Sequence, residues 1–103
     1  MSKMREIEFC NNMSDVRRNI DRLDEEIVTL LAERAGYVAQ AARIKTSANN
    51  VRIPERIEEV ISNVKRLAVE HGLDPSIPEA AYRPMVDAYI NFEMEQFKNK
   101  PSK

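Results

Sequence analysis

The stretch DVRRNIDRLDEEIVTLLAERAGYVAQAARIK, residues 15–45, decides the fold. It contains no proline and no glycine before Gly36, and with Ser14 as its N-cap it predicts one long helix ending near Thr46. Val16, Ile20, Leu23, Ile27, Leu30, Val38 and Ala41 recur at helical steps, which stacks them down one face. Arg34 and Lys45 fall on that same face, where the period asks for apolar side chains. Burying a cation without a counter-charge is costly, so each is expected to meet something anionic.

Beyond this helix, TSANNVRI (46–53) is polar and Asn-rich and predicts a loop that reverses the chain. Pro54 suits the first position of a second helix, whose stripe is Ile57, Val60, Ile61, Val64, Leu67 and Ala68 and whose left-handed cap is Gly72. Ser76 and Glu79 have the spacing of a capping box and open a third helix, with Ala81, Tyr82, Met85, Tyr89, Phe92 and Phe97 on one side. Pro84 lies beyond its first turn and predicts a bend rather than a break. Residues 1–13 read as a flexible arm with Ile7 and Phe9 resting on the body, 14–98 as one helical domain and 99–103 as a tail.

Composition fits this reading. Of 103 residues 43% are hydrophobic and two are glycine, which favours an all-α fold of three helices over any turn-rich sheet. Sixteen Lys and Arg against seventeen Asp and Glu leave no general field for nucleic acid or an anionic membrane, so a cationic site must be local. A lone Cys10 excludes an internal disulfide, and with His71 as the single histidine no metal or cofactor cluster is expected. Charges interrupt MSKMREIEFC and no apolar run reaches eighteen residues, which predicts a cytoplasmic chain, neither exported nor embedded.

The long helix also predicts a partner. Thirty residues span about 45 Å, whereas a compact chain of this length has a radius of gyration of about 13 Å. Its stripe runs to both ends, so two shorter helices cannot cover it, and an intertwined two-fold homodimer is expected; the alternative is an elongated monomer with a frayed end.

Arg34 and Lys45 are three turns and about 20° apart on one face, with backbones separated by about 16 Å. Their side chains can converge on a small molecule carrying two carboxylates, Arg through its fork and Lys as a point charge. Arg17 lies about 25 Å from Arg34 on the same rod, so only in an antiparallel dimer can it reach a site, that of the partner. Arg56 is a further candidate, and Glu93 is an acid set among Tyr89 and Phe97. The plainer alternative pairs Arg34 with Glu93 for structure alone. Tyr37, Tyr89 and Phe92 read first as core.

These residues resemble the all-helical chorismate mutases, and among them the isochorismate pyruvate-lyase branch. The likeness rests on R-x-x-I-D-x-L-D-x-x-I-V-x-L-L-A-E-R from Arg17 to Arg34, on Tyr37-Val38, on Arg43-x-Lys45, on Pro54-Glu55-Arg56 and on Gly72-Leu73-Asp74. It implies a cofactor-free rearrangement of chorismate to prephenate, with Arg34, Lys45, Arg56, Tyr89 and Arg17 of the partner subunit binding substrate, and Lys45 and Glu93 meeting the ether oxygen. Many family members have Gln at the position of Glu93. A carboxyl donates a hydrogen bond there only when protonated, so turnover is expected to rise as pH falls. The family's mutases commonly carry an acid where this chain has Ile57, which makes isochorismate pyruvate-lyase, yielding salicylate and pyruvate, the alternative. A non-enzymatic helical dimer is a weaker one.

Overall fold

The computed structural model describes residues 6–101 and consists of three α-helices: α1 (Met13–Ile44), α2 (Pro54–Glu70) and α3 (Ser76–Asn99), with a single 3-10 turn (Ala48–Asn50) between α1 and α2. The sequence-derived boundaries hold within two residues, but two caps differ. Asn12, extended at φ −155°, is the N-cap of α1, and its side-chain oxygen accepts from the Asp15 N–H at 2.9 Å; Ser14 already lies inside the helix. The Ser76–Glu79 box does not form. Pro75 caps α3 without a side-chain bond, the Asp74 carboxylate accepts from the Ser76 N–H at 2.9 Å, and Glu79 turns instead to Lys65 and Arg83. The Ser76 N–H holds the Asp74 carboxyl below its usual range.

Pro54 opens α2 as expected, since its missing N–H falls where no helical bond is made. Gly72 closes the helix at φ 73°, and the Leu73 N–H donates back to the Ala68 carbonyl at 2.8 Å. Pro84 leaves α3 unbroken from Ser76 to Asn99.

Helix α3 packs against both α1 and α2. Val51, Val86 and Ile90 form the buried cluster, with Ile57, Val60, Tyr82 and Met94 packed against it. Val51 comes from the connecting loop, because the 3-10 turn carries it back under α2 and α3. Across the α2–α3 seam Arg83 forks onto Glu58 at 2.9 and 3.0 Å. That contact raises the Arg83 guanidinium's affinity for its proton and holds the Glu58 carboxyl below the usual range.

The molecule measures 59 × 25 × 24 Å, and its radius of gyration, 17.2 Å, exceeds the roughly 13 Å of a compact chain of this length. The N-terminal half of α1 accounts for the excess length. There Ile20, Ile27 and Leu30 are 51%, 52% and 63% exposed, so the stripe that continues along α1 has no cover from its own chain. Ile7 and Phe9 are also exposed and do not rest on the body; the segment beside them is tied to α1 by Glu8 with Arg18 at 3.0 Å. Residues 1–5 of the expected arm and 102–103 of the expected tail lie outside the described residues. No helix among the described residues is long and apolar enough to cross a membrane.

Candidate active site

The C-terminal third of α1, the loop after it, the first turns of α2 and the second half of α3 surround a cavity of about 330 Å³, within the range of small-molecule sites. Five of the six residues singled out in the sequence line it: Arg34, Lys45, Arg56, Tyr89 and Glu93. The helical period puts Arg34 and Lys45 on the face of α1 that α3 covers, and the same period on α3 turns Tyr89 and Glu93 toward them. Arg17 does not join the cavity. It is exposed near the start of α1, some 25 Å along the helix from Arg34.

The two cations meet different surroundings. Lys45 finds the anion expected for it: its Nζ donates to Glu93 Oε2 at 2.7 Å, and Glu93 is buried to 7% exposure. Arg34 finds none. Its guanidinium lies 4.4 Å from the centroid of the Tyr89 ring, and its Nη1 is buried without a hydrogen-bond partner. A structural Arg34–Glu93 pair is therefore not formed, because Lys45 takes the carboxylate. A buried donor left unmade costs about 1–3 kcal/mol, more when charged, so this position favours any anion that enters. Tyr89 itself is fixed by donating its hydroxyl to the Leu31 carbonyl at 2.6 Å, which locks the ring beneath Arg34.

Arg56 stands at the edge, largely exposed and paired with Glu59 one turn on. The rest of the lining is largely apolar and includes Val51, Ile53, Ile57, Val60, Val86 and Ile90. Cations set in a largely hydrocarbon lining suit a small ring bearing carboxylates. Tyr37, read from sequence as core, is 70% exposed at the cavity's rim. Val51 went unread because a lone β-branched residue in a polar loop carries no period. Among the described residues no cluster of three metal-ligating side chains occurs.

Fold and cavity together define an all-helical protein with a pocket into which Arg34, Lys45 and Arg56 bring positive charge. The chorismate mutase type II profile matches residues 16–94, and the chain belongs to that family. It is 33% identical over 95 residues to an isochorismate pyruvate lyase from Pseudomonas aeruginosa, a match covering 92% of this chain and 94% of the relative. It is 26% identical over 99 residues to a chorismate mutase from Methanocaldococcus jannaschii, covering 92% of this chain and all of that protein. A bifunctional chorismate mutase/prephenate dehydratase from Aquifex aeolicus is 37% identical over 87 residues, but this chain spans only 24% of its length.

Proposed function

We propose that this chain is a cytoplasmic enzyme that rearranges chorismate to prephenate in a homodimer. The observation that carries the reading is the buried Nη1 of Arg34, a cationic donor without a partner in the cavity that also holds Lys45. A substrate carboxylate satisfies it with the bidentate geometry that Arg prefers. Arg56 exchanges Glu59 for a substrate carboxylate, and Lys45 turns its ammonium from Glu93 toward the substrate. The rearrangement is a cyclic shift of electrons that requires no protein nucleophile. The side chains hold the flexible enolpyruvyl group over the ring, which removes the entropy of finding that pose. As the carbon–oxygen bond breaks, charge grows on the ether oxygen, and the Lys45 ammonium, once turned from Glu93, opposes it. Glu93, which accepts from the Lys45 ammonium at 2.7 Å, holds that ammonium inside the cavity until substrate takes its place.

The uncovered half of α1 supports the dimer. Ile20, Leu23, Ile27 and Leu30 lie on one face, and contiguous apolar surface of this kind is rarely left in water. An antiparallel pairing of two such helices brings Arg17 of the partner subunit to the cavity it cannot reach in its own chain.

A second reading, elimination of pyruvate from isochorismate to leave salicylate, is favoured by Ile57 on the apolar wall, where the family's mutases commonly hold the ring hydroxyl with an acid, and by the likeness to the Pseudomonas lyase. Purified protein given each substrate in turn separates the two. Prephenate from chorismate is the expected product; salicylate and pyruvate as the dominant products replace the first reading with the second, and neither product overturns both.

A further inference from the structure

The C-terminal end of α1 is held by a residue outside the cavity. The last four carbonyls of a helix have no partner within it. Lys45 donates its N–H to the Ala41 carbonyl at 3.0 Å, which leaves the carbonyls from Ala42 onward. Lys100, the first residue beyond α3 and half-buried, donates from Nζ to the carbonyls of Ala42 at 3.0 Å and Lys45 at 2.5 Å, with a longer contact to Arg43 at 3.5 Å. An ammonium has three hydrogens, so three carbonyls use it in full, and a cation at this end opposes the helix dipole. The Phe97 ring backs the ammonium at 4.2 Å. Glu93, Phe97 and Lys100 follow one another at i, i+4 and i+7 on one side of α3. Glu93 takes the Lys45 ammonium and Lys100 takes its carbonyl, so Lys45 is gripped at both ends.

We propose that Lys100 is a positioning residue that anchors the backbone of Lys45 while the Lys45 ammonium passes from Glu93 to substrate. This rests on the reading of Lys45 as a substrate-binding residue. When the Lys45–Glu93 pair opens, the side chain no longer fixes Lys45, which is extended at φ −65°, ψ 143° with a loop behind it. The Lys100 contacts are made to main-chain carbonyls and survive that exchange. Without them Lys45 drifts, and a displacement of about 1 Å at a reacting group costs up to about a hundredfold in rate.

Lys100→Met keeps the apolar stem and removes the donors. Its kcat should fall and its KM rise, lowering kcat/KM about ten- to a hundredfold with far-UV circular dichroism unchanged. Lys100→Arg should restore most of the loss, since a guanidinium donates to the same carbonyls. Wild-type kinetics in Lys100→Met overturn the proposal, and so does a fall in kcat at constant KM that merely tracks a lost folded fraction. Amide hydrogen exchange at Ile44 and Lys45 tests the anchor apart from turnover: about tenfold faster exchange in Lys100→Met is expected, and unchanged exchange overturns it. Wild-type protein that converts neither chorismate nor isochorismate sinks the active-site reading instead, and exchange then decides the anchor alone.

Discussion

The two halves of α1 carry the same pattern and have opposite fates. From Leu31 onward the face with Arg34, Val38, Ala41 and Lys45 packs against α3 and lines the cavity, although two of those four are charged. Before Leu31 the face is purely apolar, and Ile20, Ile27 and Leu30 remain more than half exposed. The chain thus encloses the half with misplaced charges and leaves open the half a folding argument would bury first. A helical stripe alone therefore does not forecast burial within the chain that carries it. On the proposed function, the charges mark where a ligand, rather than a second helix, completes the packing.

This contrast can be broken from either side. The largest effect is expected in the enclosed half: Arg34→Ala should lower kcat/KM by about 10³-fold with helix content kept, because the buried Nη1 donates where solvent screens little. Retained turnover would remove Arg34 from the site. In the open half, Ile27→Asp should split the proposed dimer, seen as one chain per particle by analytical ultracentrifugation against two for the wild type, and should cost about a hundredfold in turnover through loss of the partner's cation. Mixing Arg17→Ala with Arg34→Ala protein sharpens the point: a mixed dimer retains one site with both residues intact, so activity should return on mixing, and no return means that Arg17 stays on its own side.

Smaller effects follow within the enclosed half. Glu93→Gln keeps an oxygen for the Lys45 ammonium but loses the charge that holds it, and should change kcat/KM by about tenfold, less than Arg34→Ala, with helix content kept. An unchanged kcat/KM would remove Glu93 from the site. The least effect is on stability alone. The Asp74 and Glu58 carboxyls are held below their unfolded values of 3.8 and 4.5, so the stabilisation they give is present above those values and is lost as pH falls through the folded ones. Asp74→Asn and Glu58→Gln should each flatten the acid side of the melting curve and leave turnover at neutral pH unchanged.

How much of this was legible follows from what local pattern encodes. The three helices, Pro54 as a start and Gly72 as a stop rest on residues acting within their own segment, and they were readable. Asn12 and Ser14 are both good N-caps two residues apart, and only the chain's entry direction decides between them. Arg34, Lys45 and Glu93 were visible as charges that break an apolar face, whereas Arg56 and Tyr89 took on a role only through the family resemblance, and the partners of none of them were readable. Whether Glu93 meets Arg34 or Lys45 depends on how far α3 slides along α1, a quantity absent from either helix's own period. Lys100 was hidden for the same reason: in sequence it is one lysine of a polar tail, and its role appears only when the ends of α1 and α3 meet.

The bare Nη1 of Arg34 also makes the protein a thermometer for its own ligand. A buried cationic donor gains a hydrogen bond from any carboxylate that reaches it, so on the proposed function a dicarboxylate that fits should raise the melting temperature whether or not it reacts. At a hundred times its dissociation constant a ligand contributes about 2.7 kcal/mol, which for a domain of this size is on the order of ten degrees. Ring acids that differ only in where their hydroxyl lies can then be ranked by heating alone, with Arg34→Ala protein, blind to all of them, as the baseline.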